Sequence, residues 1–362
     1  MPECAEEWVS KNQLASVWMH RGMALMNLNS ADVVLEAVSC FDRAIALRRT
    51  LPIESNHWFC YALSASWINR GDALRQLEQH QGHGEALRSY DEALGLLRTL
   101  PLDQNPLYCR RLAIAWVHRG VLLQQNQSVQ MQFEAANSFR TAISVLEVPN
   151  AVSLEDHQAL LAGAWANLGG TLINFCPEQF DDAACACVTS LSYTRACEQT
   201  DPVLLETFLK TVDTLCRVIL KSQTNQRALS ADILSVATDA IEETLQLVAG
   251  QGQQIRPDLV EFVRRIFRFG CWIYECYQPH FLAEYINDYL RLHCSEYLGP
   301  DPSSIAIARD AVRRALDSIL SRGFSFLDTP KRDLVLDKIR KLRLVAEQLQ
   351  APIQRNFTEG LS

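Results

Sequence analysis

Apolar residues recur along this 362-residue chain at helical spacing. Cys60, Leu63, Trp67 and Leu74 stand at i, i+3, i+7 and i+14, and Cys109, Leu112, Trp116 and Leu123 repeat the series. At 3.6 residues per turn those positions fall on one side of an α-helix, with polar residues on the other. A second kind of block, Ala86, Tyr90, Ala93, Leu94 and Leu97, carries the same signature. Pro52, Pro101, Pro149 and Pro202 mark the breaks after such blocks, since proline lacks the N–H and clashes with the preceding turn. The predicted element is a hairpin of two helices, A and B. Its two helices are joined by polar segments of variable sequence, NLNSADVV and EQHQGHGE among them, as suits surface connections.

The hairpin repeats with a period of 49 residues. Trp18, Trp67, Trp116 and Trp165 keep that spacing, as do Gly22, Gly71, Gly120 and Gly169, and then Leu25, Leu74, Leu123 and Leu172. In helix B the series is Phe41, Tyr90, Phe139 and Val188, followed by Ala44, Ala93, Ala142 and Leu191. A fifth unit is visible only through Ala240 and Ile241, its tryptophan and glycine positions having become Thr214 and Val218. Such decay suits a terminal unit, whose outer side faces a different environment. Glycine inside a helix costs about 1 kcal/mol relative to alanine, so its recurrence calls for a cause. Close approach of helix B supplies one: Ala86 is expected against Gly71, with Trp67 covering the crossing and the tryptophans forming hairpin core. Beyond residue 250 the register is lost but helices continue over 257–277, from Pro279, and near 303–322 and 330–349. The expected architecture is all-α: a solenoid of antiparallel hairpins over residues 1–250, then a C-terminal helical bundle over 251–362. That bundle is either a cap or a separate effector.

The order Trp, Gly, Leu on helix A, then Ala, Phe or Tyr, Ala on helix B, then Pro, resembles the tetratricopeptide repeat over residues 8–250. The family's unit is about 34 residues long. Longer helices and a longer intra-hairpin loop account for the 49 found here. The resemblance implies recognition of a protein or an extended peptide along the A helices. The positions it turns toward a ligand are His20, Asn69, His118 and Asn167, then Met26, Arg75, Gln124 and Ile173, then Asn27, Gln76, Gln125 and Asn174. Amide groups can pair with a peptide backbone as both donor and acceptor. The alternative is that these polar rows merely solvate the exposed face. Asn69 and Asn167 resemble the asparagines of a carboxylate clamp, but the lysines that complete one are missing, so no clamp of that kind is expected.

Arg21, Arg70 and Arg119 stand where the family usually has leucine. They form either a ladder for acidic ligand groups or ion pairs between units, with Asp42 and Asp91 as partners; Arg140 breaks that series. Charge is uneven: residues 301–362 carry 11 Lys or Arg against 8 Asp or Glu, a net of +3 that leaves −11 for residues 1–300. An acidic array is a poor receptor for phosphate backbones, and no nucleic-acid partner is expected. In the tail, Lys331, Arg332, Lys338, Arg340, Lys341 and Arg343 interleave with Asp333 and Asp337, which reads as a solvated helix face. The twelve cysteines lie in apolar helical patterns and read as reduced core thiols, with no metal or redox spacing among them. His80 and His83 share a glycine-flanked loop that reads as exposed. With no apolar run near 18 residues and no signal-peptide layout in MPECAEEWVSKNQ, a cytoplasmic location and no membrane partner are expected. The phosphate-loop, dinucleotide, nucleophile-elbow and zinc-helix motifs are absent, so neither enzymatic activity nor a cofactor is expected. Two functional readings remain: an adaptor or scaffold, and a peptide-sensing receptor whose C-terminal helices act as effector.

Overall fold

The computed structural model describes residues 2–28, 31–77, 83–148, 157–175, 179–195, 202–225, 229–250, 256–277, 281–293, 301–321 and 329–350. Among the described residues there are fourteen helices and no strand, arranged as a helical repeat. The chain divides into two compact units, Met1–Leu204 and Leu205–Ser362.

The first unit stacks four hairpins: α1 (Pro2–Met26) with α2 (Ala31–Arg49), α3 (His57–Gln76) with α4 (His83–Leu97), α5 (Pro106–Gln124) with α6 (Val129–Leu146), and α7 (His157–Phe175) with α8 (Phe180–Arg195). Within each hairpin the helices pack along their length, and α2, α4 and α6 pack in turn on α3, α5 and α7. Successive A helices touch as well, α1 with α3, α3 with α5 and α5 with α7. The A helices therefore form the inner layer of the stack. The turns between the first hairpins repeat as faithfully as the helices. Asn56 and Asn105 cap α3 and α5, each accepting with its Oδ1 from the amide two residues on at 3.0 Å. A side-chain cap of this kind satisfies an amide that the first helical turn would leave unpaired. Thr50 and Thr99 likewise donate to Leu47 and Leu96 carbonyls at 2.8 and 2.7 Å.

The recurring glycine is explained by a ring. A Cβ on Gly22, Gly71 or Gly120 would lie 2.6, 2.6 and 2.7 Å from Cε1 of Phe41, Tyr90 and Phe139. The expectation of Ala86 at Gly71 is thereby corrected. A flat ring laid on bare helix backbone buries more apolar surface than a methyl group does, and Ala86 is buried beside it. In the fourth hairpin Gly169 meets Cys187 Sγ at 2.9 Å. That thiol, and not Val188, is the equivalent of the rings, because one residue fewer separates it from its glycine. Ala183, Cys187, Ser190 and Leu191 are accordingly all at 0% exposure, whereas Val188 is half-buried.

The tryptophans also depart from expectation. Trp67 and Trp116 are half-buried at the seam between hairpins and are not enclosed in hairpin core. The preceding hairpin lays Arg49 over Trp67 and Arg98 over Trp116, both at 4.9 Å. Beside them Arg70 Nε donates to Asp42 Oδ1 at 2.7 Å and Arg119 Nε to Asp91 Oδ1 at 2.8 Å, each crossing to the preceding hairpin. Their Nη1 atoms donate to Ser89 and Ser138 of their own hairpins at 2.8 and 3.0 Å. Arg21, with no hairpin before it, pairs with Glu36. The ion-pair reading of these arginines is the one the structure bears out. Where Arg140 replaces the aspartate, Leu168 replaces the arginine that would face it.

The second unit takes in α9 (Pro202–Thr224) from residue 205, α10 (Ala231–Gly250), α11 (Pro257–Tyr277), α12 (Leu282–His293), α13 (Pro302–Ser321) and α14 (Thr329–Gln350). The fifth repeat's helix B is α10, with Ala240 and Ile241 buried, and it packs on α11 and α12. Helix α11 is central, touching α10, α12 and α13. Phe267 of α11 stacks on Tyr289 of α12 with centroids 3.5 Å apart, and Tyr274 lies 4.8 Å from Tyr285. Arg265 grips Asp213 of α9 through two hydrogen bonds of 2.8 and 3.1 Å. In the basic tail Lys341 meets Glu284 at 3.1 Å; the side chains of Lys331, Arg332 and Asp333 lie outside the described residues. Of the eight cysteines described, all but Cys185 and Cys276 are buried and all are free thiols.

Candidate functional site

The inner layer of the first unit is hollowed into a groove of about 420 Å³ between the A helices α1, α3 and α5. Its walls follow the repeat. Ser16, Ala65 and Ile114 occupy one level of the 49-residue register, His20, Asn69 and His118 the next, and Met23 with Asp72 the one after. Three of the residues expected at a binding face, His20, Asn69 and His118, thus meet on one surface.

The other expected residues are placed elsewhere. Arg75 is half-buried with Nη2 4.0 Å from Asp72 Oδ1. Asn27, Gln76, Gln125 and Asn174 are exposed toward the C-terminal ends of their A helices and do not line the groove. Gln124 spends its amide on the stack itself: Nε2 donates to Thr171 Oγ1 at 2.9 Å and to the Asn167 carbonyl at 3.4 Å, tying α5 to α7. Asn167 and Gln124 therefore share an inter-hairpin joint away from the groove. His83 is half-buried at the start of α4, and His80 lies outside the described residues.

Two cations that sequence reasoning missed sit in the groove. Arg48 belongs to helix B of the first hairpin and is 5% exposed, yet it lines the groove floor. Its Nε donates to Asn12 Oδ1 at 3.1 Å, Nη1 to the Ala62 carbonyl at 2.9 Å and to Ser66 Oγ at 2.7 Å, and Nη2 to Ser16 Oγ at 3.0 Å. Burial first, then the charge of Arg111, pulls its pKa down to about 10. Arg111 lies over the Tyr61 ring at 3.9 Å, and burial lowers its pKa too. A signal for Arg48 was present in the repeat: its equivalents 49 and 98 residues on are Leu97 and Leu146, both core. The same kind of signal marked Arg111, whose equivalents 49 residues before and after are Ala62 and Leu160.

Asp72, the lining carboxylate among the described residues, is tied down. It accepts from Tyr90 Oη at 2.7 Å, and its Oδ1 lies 2.8 Å from His118 Nδ1, with the ring plane turned off the hydrogen-bond line. Burial, reinforced by Asp72, raises the Tyr90 phenol far above its ordinary range, so it stays a donor. The ring that covers Gly71 thereby also positions a groove residue.

Comparison with known proteins finds likenesses of fold only. No protein-family model matches the chain, and no curated protein matches it in sequence. Among solved structures it is similar to BtubC (BKLC) from P. vanneervenii, with 13% identity, 82% of this chain and 94% of that one covered, and a TM-score of 0.46. It is similar as well to the nuclear import adaptor Nro1 of S. pombe, with 13% identity, coverage of 92% and 99%, and a TM-score of 0.44. A circular tandem repeat protein of novel topology gives 12% identity, coverage of 94% and 84%, and a TM-score of 0.28. Among the described residues no helix is long and apolar enough to cross a membrane.

Proposed function

We propose that the chain is a cytoplasmic, tetratricopeptide-like adaptor that binds a protein or peptide in the groove of its first three hairpins, with no catalytic role and no cofactor. The observation that carries this reading is the groove's construction from equivalent positions of α1, α3 and α5. A surface with a repeating register offers an extended chain the same kind of contact at successive steps. Its volume falls in the range of roughly 300–1,000 Å³ typical of ligand sites. Apolar Met19, Ile68 and Ile114 alternate there with His20, Asn69 and His118, the mixture of burial and orientation that recognition requires.

Site-specific photo-cross-linking tests the proposal. A benzophenone amino acid at Ala65, inside the groove, should capture a partner from native lysate, whereas the same probe at Arg88, on the exposed side of α4, should not. Capture from Arg88 alone, or equally from both positions, would place recognition elsewhere.

A further inference from the structure

Arg48 is a buried cation at a place the second and third hairpins fill with leucine. The hairpin seam does not need a charge there, since Leu97 and Leu146 serve the same position in the second and third hairpins. Its surroundings are polar but neutral: an asparagine, two serines and a carbonyl. Among the described residues no carboxylate pairs with it or with Arg111, whereas Arg70 and Arg119 each hold two. Burying a guanidinium without a counterion is costly, and the half-buried Arg111 beside it adds repulsion. Arginine has five N–H donors, and the four hydrogen bonds above leave one on Nη2 to spare.

The groove is also polarised along its length. Arg111 is the register equivalent of Ala62, whose carbonyl binds Arg48, so both cations belong to one level. Asp72 stands ten residues further along α3, about 15 Å at 1.5 Å per residue, held by Tyr90. Between these levels the apolar part of the wall includes Met19, Ile68 and Ile114.

Resting on the proposed peptide groove, we infer that Arg48 and Arg111 receive an oxyanion carried by the peptide, with its neighbouring apolar side chains against Met19 and Ile68. A carboxylate or phosphate would supply the countercharge the folded chain lacks and accept from the spare Nη2 donor. Three sources share this chemistry: an acidic side chain, a C-terminal carboxylate and a phosphorylated residue.

The test uses the full chain and three synthetic peptide libraries, each with a neutral twin: blocked at both ends with Glu against Gln, free C-terminal acid against amide, and phosphoserine against serine. The wild type should enrich the anionic member of at least one pair about tenfold. Arg48→Leu, which installs the residue of the second and third hairpins, and Arg111→Gln should each bring that preference to within about twofold. Both should still melt cooperatively by circular dichroism, and if one fails to fold the other decides. Preference retained by a folded Arg48→Leu or Arg111→Gln would overturn the inference, as would equal enrichment of the neutral twins by the wild type. In the last case, neutral peptides that cross-link at position 65 would leave the groove reading standing. No enrichment and no cross-link would sink both.

Discussion

At the scale of single residues, the recurring glycine shows a local cost accepted for a tertiary gain. Each helical glycine forgoes about 1 kcal/mol of propensity. In return a ring of helix B lies flat on the backbone of helix A, and Phe41, Tyr90 and Phe139 are all buried to 0% exposure. A substitution therefore sets two opposed terms against each other. Gly71→Ala regains the propensity but places a methyl 2.6 Å from Tyr90 Cε1, and moving a ring that is enclosed on all sides costs more, typically 1–3 kcal/mol. The expected outcome is a net loss of about 1 kcal/mol, read as a lower melting temperature by calorimetry. In a Tyr90→Leu background the obstruction is gone, and the same Gly71→Ala change should be neutral or stabilising. An equal loss in both backgrounds would show that the ring is not what the glycine accommodates.

Between elements, the seams are joined by a recurring set of side chains and not by apolar contact alone. Arg70 and Arg119, the recurring arginines of the second and third A helices, each reach back to an aspartate, forward to a serine and lie near their own tryptophan. Asp42 and Asp91 are about half exposed while Arg70 and Arg119 are mostly buried, so screening tempers each pair. A double-mutant cycle on Arg70→Met and Asp42→Ala should give a coupling of about 0.5–1 kcal/mol that shrinks in 1 M salt. A coupling of zero at low salt would reduce the pair to proximity without energetic weight. These pairs were legible in sequence because both partners recur with the period. So were the helices, the hairpins and the His20, Asn69, His118 row. The ring on the glycine was not, since periodicity tells which face a residue occupies and says nothing of how far its side chain reaches. The one-residue slip at Cys187 hid for a related reason: a strict 49-residue register does not show that the interval from Gly169 to the residue covering it is one shorter than in the other hairpins. Arg48 and Arg111 were legible only as exceptions to the repeat, cations where sister hairpins carry leucine or alanine, and that they meet in one groove shows only in space.

Over the whole molecule, the main packing of the first unit among the described residues runs between helices adjacent in sequence or between successive A helices. An array built that way distributes its stability as intrinsic hairpin terms plus nearest-neighbour interfaces, so removing one end should not unravel the other. Deleting residues 1–55 takes away α1 and α2 and uncovers the faces of α3 that α2 packs upon, Asn56 being retained as the cap of α3. The remaining hairpins keep their own rings, glycines and turns. Helix content per residue should therefore stay close to that of the full chain by circular dichroism, while the melting temperature falls because one interface is lost. Hydrogen exchange should locate the loss: amides of α3 and α4 exchange faster, and those of α7 and α8 are unchanged. The same deletion removes Ser16, Met19, His20, Met23 and Arg48, one wall of the groove, so cross-linking from position 65 should disappear even though α3 remains helical. If α7 and α8 lost protection together with α3, cooperativity would extend across the whole unit. The groove would then be a property of four hairpins folding as one and not of the three that line it.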